Sequence, residues 1–150
     1  MKSQKRLALS SSKGFTIIEL IVVIAIIAAL AAIVLVNVTQ YINKSRNASI
    51  KANLAGLLTD GTVYFESDPV YKGSYQGFCD SSNVASAQTA VANAGGTDLV
   101  CKINNGLNTK WCACAQEIAT TATFCVDSTG YKQETNTACA SRCFSGSCTS

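Results

Sequence analysis

The stretch Ser12–Val36, SKGFTIIELIVVIAIIAALAAIVLV, decides the architecture of this chain. From Phe15 to Val36 it holds 22 residues, which as a helix would be about 33 Å long. The hydrocarbon core of a bilayer is about 30 Å thick, so this length fits a membrane-spanning helix. The one charge inside it is Glu19, and a carboxylate within a bilayer costs on the order of 2.5–3.5 kcal/mol on insertion scales. Glu19 therefore needs a partner, or the segment does not serve as a lone anchor.

The residues before the apolar stretch carry the excess positive charge of the chain. Of 12 basic residues, set against 9 acidic ones, four precede Phe15: Lys2, Lys5, Arg6 and Lys13. From Asn53 onward, 8 acidic residues outnumber 5 basic ones. A basic N-terminal tail is typical of a membrane-targeting leader that stays in the cytoplasm. The remainder shows no excess of basic residues of the kind expected for a nucleic-acid-binding surface, so no nucleic-acid partner is indicated.

A cleaved secretory signal is the simplest alternative for this N-terminus. Such a signal has an apolar region of about 7–15 residues followed by a small-residue cleavage site. Here the apolar run is longer, and no turn or small polar break follows it. Alanines four residues apart, Ala25 with Ala29 and Ala28 with Ala32, permit close helix–helix packing in a membrane. The sequence favours a retained anchor that packs against other helices.

A specific motif stands at the head of the apolar run. A short basic leader ends in Gly14, then Phe-Thr-x-x-Glu follows, then about twenty apolar residues: KGFTIIELIVVIAIIAALAAIVLV. This pattern resembles the bacterial type IV prepilins and the pseudopilins of type II secretion. The resemblance implies cleavage by a membrane-bound prepilin peptidase directly after Gly14, followed by N-methylation of Phe15. It also implies that Glu19 pairs with the Phe15 amine of a neighbouring subunit or of its own chain.

The resemblance further implies where the protein acts and with what. The precursor would sit in the cytoplasmic membrane as a single-pass protein with its head outside, and the assembled form would be a cell-surface pilus. Its partners would be the prepilin peptidase, a pilus assembly platform and further copies of itself in a helical filament. Many family members have a proline where this chain has Val36 and a glycine near Ala28. Neither is present, so local unwinding of the helix is not implied here.

The pattern beyond Val36 predicts that the helix continues. No proline or glycine occurs from Phe15 to Ala55, which predicts one helix to about Leu58. An apolar stripe in its second half should bury against a sheet; its members are Ile50, Leu54, Leu57 and Leu58. Three basic residues should face outward, namely Lys44, Arg46 and Lys51. The predicted segments are a cleaved leader (1–14), a transmembrane assembly half (15–36), an amphipathic half (37–58) and a globular disulfide-bonded head (59–150).

The predicted fold class is α+β and pilin-like: a long N-terminal helix packed on a small antiparallel sheet. Residues 63–79 contain the only proline and read as a loop, and residues 81–96 read as a short helix ended by Gly95 and Gly96. Residues 110–119 and 121–130 alternate as strands. One face of the first strand would carry Trp111, Ala113, Ala115 and Glu117, and the other Cys112, Cys114, Gln116 and Ile118.

Eight cysteines, all in the head, predict disulfides in an exported domain. They are Cys79, Cys101, Cys112, Cys114, Cys125, Cys139, Cys143 and Cys148. Metal binding is the alternative, but the chain has no histidine and no pair of Cys-x2-Cys knuckles. Eight cysteines allow 105 pairings; antiparallel pairing of the two strands suggests Cys114–Cys125. The C-terminal cysteines would pair with each other and with Cys101 or Cys79, and the resemblance implies a C-terminal disulfide-bounded loop.

The sequence offers no catalytic constellation. Without histidine there is no Ser-His or Cys-His pair, and no Gly-rich phosphate loop is present. Residues 127–130, Asp-Ser-Thr-Gly, read as a turn, with a calcium loop as the weaker interpretation. We therefore expect no enzymatic activity, no cofactor and no metal. The expected function is that of a structural pilin, with a pseudopilin as the alternative within the family. A membrane-tethered, cysteine-rich binding domain is the alternative from another class.

Overall fold

The structure is a computed structural model that describes residues 14–97 and 99–149, without the side chain of Val36. The chain divides into two compact units, residues 1–39 and residues 40–150. Predictions that concern the basic tail, Met1 to Lys13, fall outside the described residues. The architecture confirms the predicted α+β, pilin-like class: a long N-terminal helix whose second half packs on an antiparallel four-stranded sheet.

Helix α1 spans Ile17–Ser67 and is continuous, as predicted, but it ends later than the predicted Leu58. The segment predicted to be a loop from residue 63 therefore begins as helix. Gly61 lies inside α1 without breaking it, because the space of its missing side chain is filled by the Trp111 ring. Tertiary packing of this kind overrides the low helix propensity of glycine.

Antiparallel strands β1 to β4 form the main sheet, in sequence order. They are Val100–Ile103, Trp111–Gln116, Thr123–Asp127 and Lys132–Thr135. Strands β2 and β3 are the two that the alternation predicts, and Cys114 lies opposite Cys125 in their register. Strands β1 and β4 have four residues each, too few for their alternation to predict them.

Short elements complete the second unit. A single 3₁₀ turn, Phe78–Asp80, precedes helix α2, Ser82–Ala94, which is the predicted short helix. Gly95 ends α2 in the left-handed conformation, with φ of 92°. Helix α3, Cys139–Arg142, leads into a small hairpin of strands β5, Cys143–Phe144, and β6, Ser147–Cys148.

One face of the sheet builds the main core with α1. The predicted stripe is buried at Ile50, Leu54 and Leu57, and it packs with the predicted face of β2. Two positions of that face are alanines, which lets the helix approach the sheet closely. Phe78 and Trp111 pack in the same core with ring centroids 4.8 Å apart. The alternation in β2 therefore groups Trp111, Ala113 and Ala115 correctly on one face, which the structure shows to be the helix side. Ile118, which the alternation grouped with the cysteines, is wrongly placed: it lies beyond the end of β2 at Gln116 and packs against the main core.

The opposite face of the sheet is covered by a layer of cystines. Cys112, Cys114 and Cys125 project from β2 and β3, and the segment from α3 to β6 lies over them. All eight cysteines form disulfides, which confirms that expectation. The pairs are Cys79–Cys101, Cys112–Cys143, Cys114–Cys139 and Cys125–Cys148.

The predicted pair Cys114–Cys125 is wrong, although its register is right. Both side chains point to the face that the C-terminal segment covers, and each is bonded to a cysteine of that segment. The Cα–Cα distances of these bonds are 5.4 Å to Cys139 and 6.1 Å to Cys148, within the usual range. The predicted partners of the C-terminal cysteines are wrong too, since Cys79 bonds to Cys101 and none of the C-terminal cysteines bond to each other.

Candidate functional site

The predicted cleavage position lies just before α1. Gly14, Phe15 and Thr16 have no helical or strand structure, and α1 begins at Ile17. The side chain of Phe15 is 84% exposed. The Gly14–Phe15 peptide bond is therefore on irregular, exposed backbone, and such backbone can enter the extended binding cleft of a peptidase without unwinding a helix.

Thr16 and Glu19 form a reciprocal cap at the start of α1. The backbone N–H of Thr16 donates to Glu19 Oε2 at 2.9 Å, and the Thr16 hydroxyl donates to the same oxygen at 2.8 Å. The backbone N–H of Glu19 in turn donates to Thr16 Oγ1 at 3.3 Å. This is a capping box, in which a threonine and a glutamate three residues later satisfy helix-terminal N–H groups. A carboxylate in the first turn also interacts favourably with the helix dipole.

The two hydrogen bonds from Thr16 give the Glu19 carboxylate a partner at one of its two oxygens. In the uncut chain the nitrogen of Phe15 is a peptide amide, so the predicted pairing with a Phe15 amine stays a prediction. Sequence reasoning named Glu19 and overlooked Thr16, although the Thr-x-x-Glu signature was present in the motif. Within the described residues, the hydrogen bonds of the Glu19 carboxylate use Oε2 alone.

The apolar run after the cap has no packing partner within the described chain. Every described side chain from Phe15 to Leu35 is exposed. By length and composition α1 is able to cross a membrane, and it is the one such helix among the described residues. A continuous apolar surface of this size marks a membrane or helix-packing surface.

A charged cluster connects α1 to the sheet within the second unit. Lys51 Nζ lies 3.1 Å from Glu117 Oε1, as an ion pair whose geometry is not that of an aligned hydrogen bond. Lys51 also donates a hydrogen bond to Glu134. The Glu117 side chain is only 4% exposed. The prediction that Lys51 faces outward is right only in part: its side chain is 34% exposed, but its ammonium group lies against the carboxylates of Glu117 and Glu134. A buried carboxylate such as that of Glu117 is costly without a positive charge beside it.

The cluster changes the acidity of two of its members. Burial raises the pKa of Glu117, and the Lys51 ion pair opposes that rise in part. The hydrogen bond to Glu134 raises the pKa of Lys51, against a smaller opposing effect of burial. Nearby, the Asn47 side chain bonds the Ile118 backbone twice, accepting from its N–H at 2.8 Å and donating to its C=O at 3.2 Å. The α1–sheet contact is thus fixed by charge and by hydrogen bonds as well as by apolar burial.

Residues 127–130 form the predicted turn. Asp127 Oδ1 accepts from the Thr129 N–H at 2.9 Å and from the Thr129 hydroxyl at 2.6 Å, and Oδ2 accepts from the Cys148 N–H at 2.9 Å. Both carboxylate oxygens therefore serve the turn and the β6 strand. In the part of the chain that the structure describes, no group of three acidic or cysteine side chains is arranged to hold a metal.

Arg142 is a buried residue that sequence reasoning missed. Its guanidinium donates to the backbone carbonyls of Thr123 at 2.6 Å, Gln133 at 2.8 Å and Thr149 at 3.3 Å. It therefore ties β3, β4 and the C-terminal segment together beside the cystine layer. Only its place between Cys139 and Cys143 could have drawn attention to it, since the sequence carries no further signal.

Comparison with known proteins bears on the N-terminus alone. The prokaryotic N-terminal methylation motif matches residues 9–35. This range includes the predicted cleavage position, the capping box and most of the apolar run. The comparison with curated proteins found no match, and the comparison with solved structures found none either.

Proposed function

Since the chain carries the class III leader of type IV pilins and pseudopilins, we propose that it is a structural subunit of a type IV pilus-like filament. The observation that carries this proposal is the Thr16–Glu19 cap at the head of a fully exposed apolar helix, directly after the Gly14–Phe15 position. The chain would be a substrate of the prepilin peptidase and would have no catalytic role of its own.

Processing is the first step of the proposal. Hydrolysis of the Gly14–Phe15 bond creates an amine at Phe15, four residues before Glu19 in the sequence. N-methylation of this amine keeps its positive charge. Because Thr16 occupies only Oε2 of Glu19 among the described residues, Oε1 is available to the new ammonium group. A charge-assisted hydrogen bond of this kind is about twice as strong as a neutral one.

Assembly is the second step. The Glu19 carboxylate of one subunit pairs with the Phe15 ammonium of its neighbour as apolar helices gather in the filament core. A subunit in the wrong register leaves a charge unpaired in an apolar environment, and breaking a buried ion pair costs about 3–5 kcal/mol. The pair therefore selects the register. Ala25 and Ala29 lie on one face of α1 and allow the helices to approach closely.

The four disulfides of the head favour a surface pilus over a secretion pseudopilus. Typical disulfides add about 2–4 kcal/mol each to stability, and a filament that extends outside the cell meets pulling forces and an oxidising medium. A pseudopilin would share the leader, the cap and the helix, so these features support both assignments equally.

Mass spectrometry of the N-terminus tests the proposal. Filaments sheared from cells and the remaining envelope fraction are analysed in parallel. We expect a chain that begins at Phe15 and bears one added methyl group in the sheared fraction. The same terminus confined to the envelope would favour the pseudopilin. An intact Met1 terminus in both fractions, or a cut elsewhere, would contradict the proposal and favour a membrane-tethered binding domain.

A further inference from the structure

A groove opens at one end of the main sheet, where the β1–β2 connection meets the β5–β6 turn. Its volume is about 270 Å³. The lining residues are Lys102, Ile103, Asn105, Phe144 and Ser145. All of them belong to the second unit, and none takes part in the proposed processing or helix assembly.

The wall that carries Phe144 is held rigidly. Ser145 and Gly146 both have positive φ, 49° and 75°, and they connect β5 and β6 as a two-residue turn. Cys143 and Cys148 flank this turn, and each is bonded by a disulfide to a strand of the main sheet. A hairpin fixed on both strands loses little conformational entropy when a ligand binds.

The opposite wall is the β1–β2 connection, whose two ends are joined by hydrogen bonds between Asn104 and Lys110. The side chain of Asn104 accepts from the Lys110 N–H at 2.7 Å, and the Asn104 N–H donates to the Lys110 carbonyl at 3.0 Å. Gly146 packs on this closure: a Cβ there would lie 2.6 Å from the Lys110 carbonyl oxygen. The two walls therefore support each other, and the groove between them is preformed.

The lining combines one aromatic face with unengaged polar groups. The Phe144 side chain is 66% exposed although it stands on a rigid turn. Within the described residues, the side chains of Lys102, Asn105 and Ser145 make no hydrogen bond to the protein. No carboxylate lines the groove, whereas the chain from Asn53 onward has more acidic than basic residues. The groove is thus a local cationic site on a head of the opposite overall charge.

We propose that this groove binds an acidic saccharide, that is, a sugar ring that bears a carboxylate. The apolar C–H face of the ring would lie on Phe144, and the carboxylate would accept a charge-assisted hydrogen bond from Lys102. Asn105 and Ser145 would bond the ring hydroxyls. This ligand class gives a partner to each polar side chain of the lining and to the Phe144 ring. The proposal goes beyond the filament function, because it concerns the head alone and does not depend on cleavage at Gly14.

Other ligand classes fit the groove less well. A purely apolar molecule would desolvate the three polar side chains without pairing them. A nucleic-acid strand is held by several phosphate contacts, and a single lysine lines the groove. A second copy of the chain would need to bury about 1,200 Å² or more for a stable contact, far beyond what five residues present. The small size and mixed lining therefore favour one polar ring.

A binding titration of the full chain in detergent micelles tests the proposal. The probe is a tetrasaccharide of alternating glucuronate and N-acetylglucosamine, and the matched neutral probe is the N-acetylglucosamine tetrasaccharide. Calorimetry gives the affinities, and NMR shifts give the location. We expect the acidic probe to bind about tenfold or more tightly than the neutral one, since a hydrogen bond to a charged group is of that order.

Four variants assign the binding to the groove. Lys102→Gln should weaken binding of the acidic probe about tenfold and leave the neutral probe unchanged. Phe144→Ser should weaken both probes several-fold, because the stacking surface is lost. The matched controls are Lys132→Gln, an exposed lysine on the far edge strand, and Leu107→Ser, an exposed apolar residue of the β1–β2 connection outside the lining. Neither control should change either affinity.

Three results would overturn the proposal. One is equal binding of the two probes, and another is equal weakening by the control variants. The third is that neither saccharide binds, while the Phe144→Ser variant sediments more slowly than the unsubstituted chain. That result would show that the groove is a contact between copies of the chain. Intact disulfides, checked by mass in every variant, separate a lost site from an unfolded head.

Discussion

At the scale of single residues, Glu19 has two separable properties: its shape caps α1, and its charge is available to a partner. A glutamine can accept the same two hydrogen bonds from Thr16 through its amide oxygen, but it carries no charge. The substitution Glu19→Gln therefore removes the charge and retains the cap. The proposed filament register depends on the charge alone.

We predict that Glu19→Gln is cleaved after Gly14 and forms all four disulfides, but yields at least about tenfold fewer filaments. The reason is that the Phe15 ammonium is left unpaired among apolar helices, a loss of several kcal/mol. Quantification of sheared filaments, with mass analysis of the N-terminus, measures both effects. Thr16→Ser, which keeps the capping hydroxyl, is the control and should assemble normally. Normal filament yield from Glu19→Gln would remove the pairing from the proposal.

Lys51 gives a prediction about pH. Its pKa is raised above the usual 10.5, so its contribution to stability is complete below that pH and is lost as pH rises through the folded-state pKa. We expect Lys51→Met to lose about 1–2 kcal/mol at neutral pH, between the values for exposed and buried pairs because the side chain is partly exposed. The difference from the unsubstituted chain should shrink above about pH 10.5.

Glu117 adds a second pH effect in the same variant. Burial raises its pKa above the usual 4.5, so its ionisation destabilises the fold as pH rises from that value. Without Lys51 the pKa should rise further, and the stability of Lys51→Met should fall more steeply between pH 5 and 7. Denaturant unfolding of the full chain in detergent at several pH values measures this slope. Lys44→Met, an exposed lysine of α1, should show no such change.

At the scale of elements, α1 shows what a sequence can and cannot reveal. The absence of proline and glycine up to Ala55 was enough to predict a continuous helix, and the stripe at Ile50, Leu54 and Leu57 predicted its buried face. The end of the helix could not be predicted. Gly56 and Gly61 look alike in sequence, and only the position of Trp111 in the fold explains why helix continues through the second of them.

The two glycines make a matched pair for a test. At Gly61 a Cβ would lie 2.6 Å from Trp111 Nε1, whereas at Gly56 no atom lies within 4 Å. We expect Gly61→Ala to destabilise the protein by about 1–3 kcal/mol through overpacking. Gly56→Ala should stabilise it by about 0.5–1 kcal/mol, since alanine is the better helix former. Urea unfolding measures both; a stabilising Gly61→Ala would show that the Trp111 ring is not held against the helix.

At the scale of the whole molecule, the sheet separates two cores of different chemistry. Periodicity predicted two parts of the helix-side core: the buried stripe of α1 and the grouping of alternate residues on one face of β2. It did not predict that Phe78, Val84 and Val91 share this core. The cystine side was not predictable: alternation placed Cys114 and Cys125 on one face and in register, but it says nothing about which segment lies above them. A disulfide joins side chains across layers, and layer order is a property of the folded chain. The role of Arg142 could not be predicted either, because its partners lie in three segments that only the folded chain brings together.

Two disulfides with nearly equal loops separate chain entropy from packing. Cys125–Cys148 spans 23 residues and Cys79–Cys101 spans 22, so the loop model predicts a similar loss of about 3 kcal/mol for removal of either. We expect the double substitution Cys125→Ala with Cys148→Ala to cost more than Cys79→Ala with Cys101→Ala. The reason is that Cys125 is fully buried in the cystine layer and its loss leaves a cavity. Equal unfolding energies would mean that the layer adds nothing beyond cross-linking.

The connectivity of the cystine layer also determines the order in which its disulfides can form. In the proposed export of the head, which follows the order of the chain, the thiols of Cys112, Cys114 and Cys125 arrive before any of their native partners. Each of the three must wait for a cysteine in the last part of the chain, and the nearest thiol available to it is a wrong one. Oxidation that runs ahead of translocation therefore traps scrambled heads, and thiol–disulfide exchange must correct them. Trapping of free thiols during synthesis should show these three closing last and together. A subunit of the proposed filament would therefore become competent to assemble only once its whole chain has been exported.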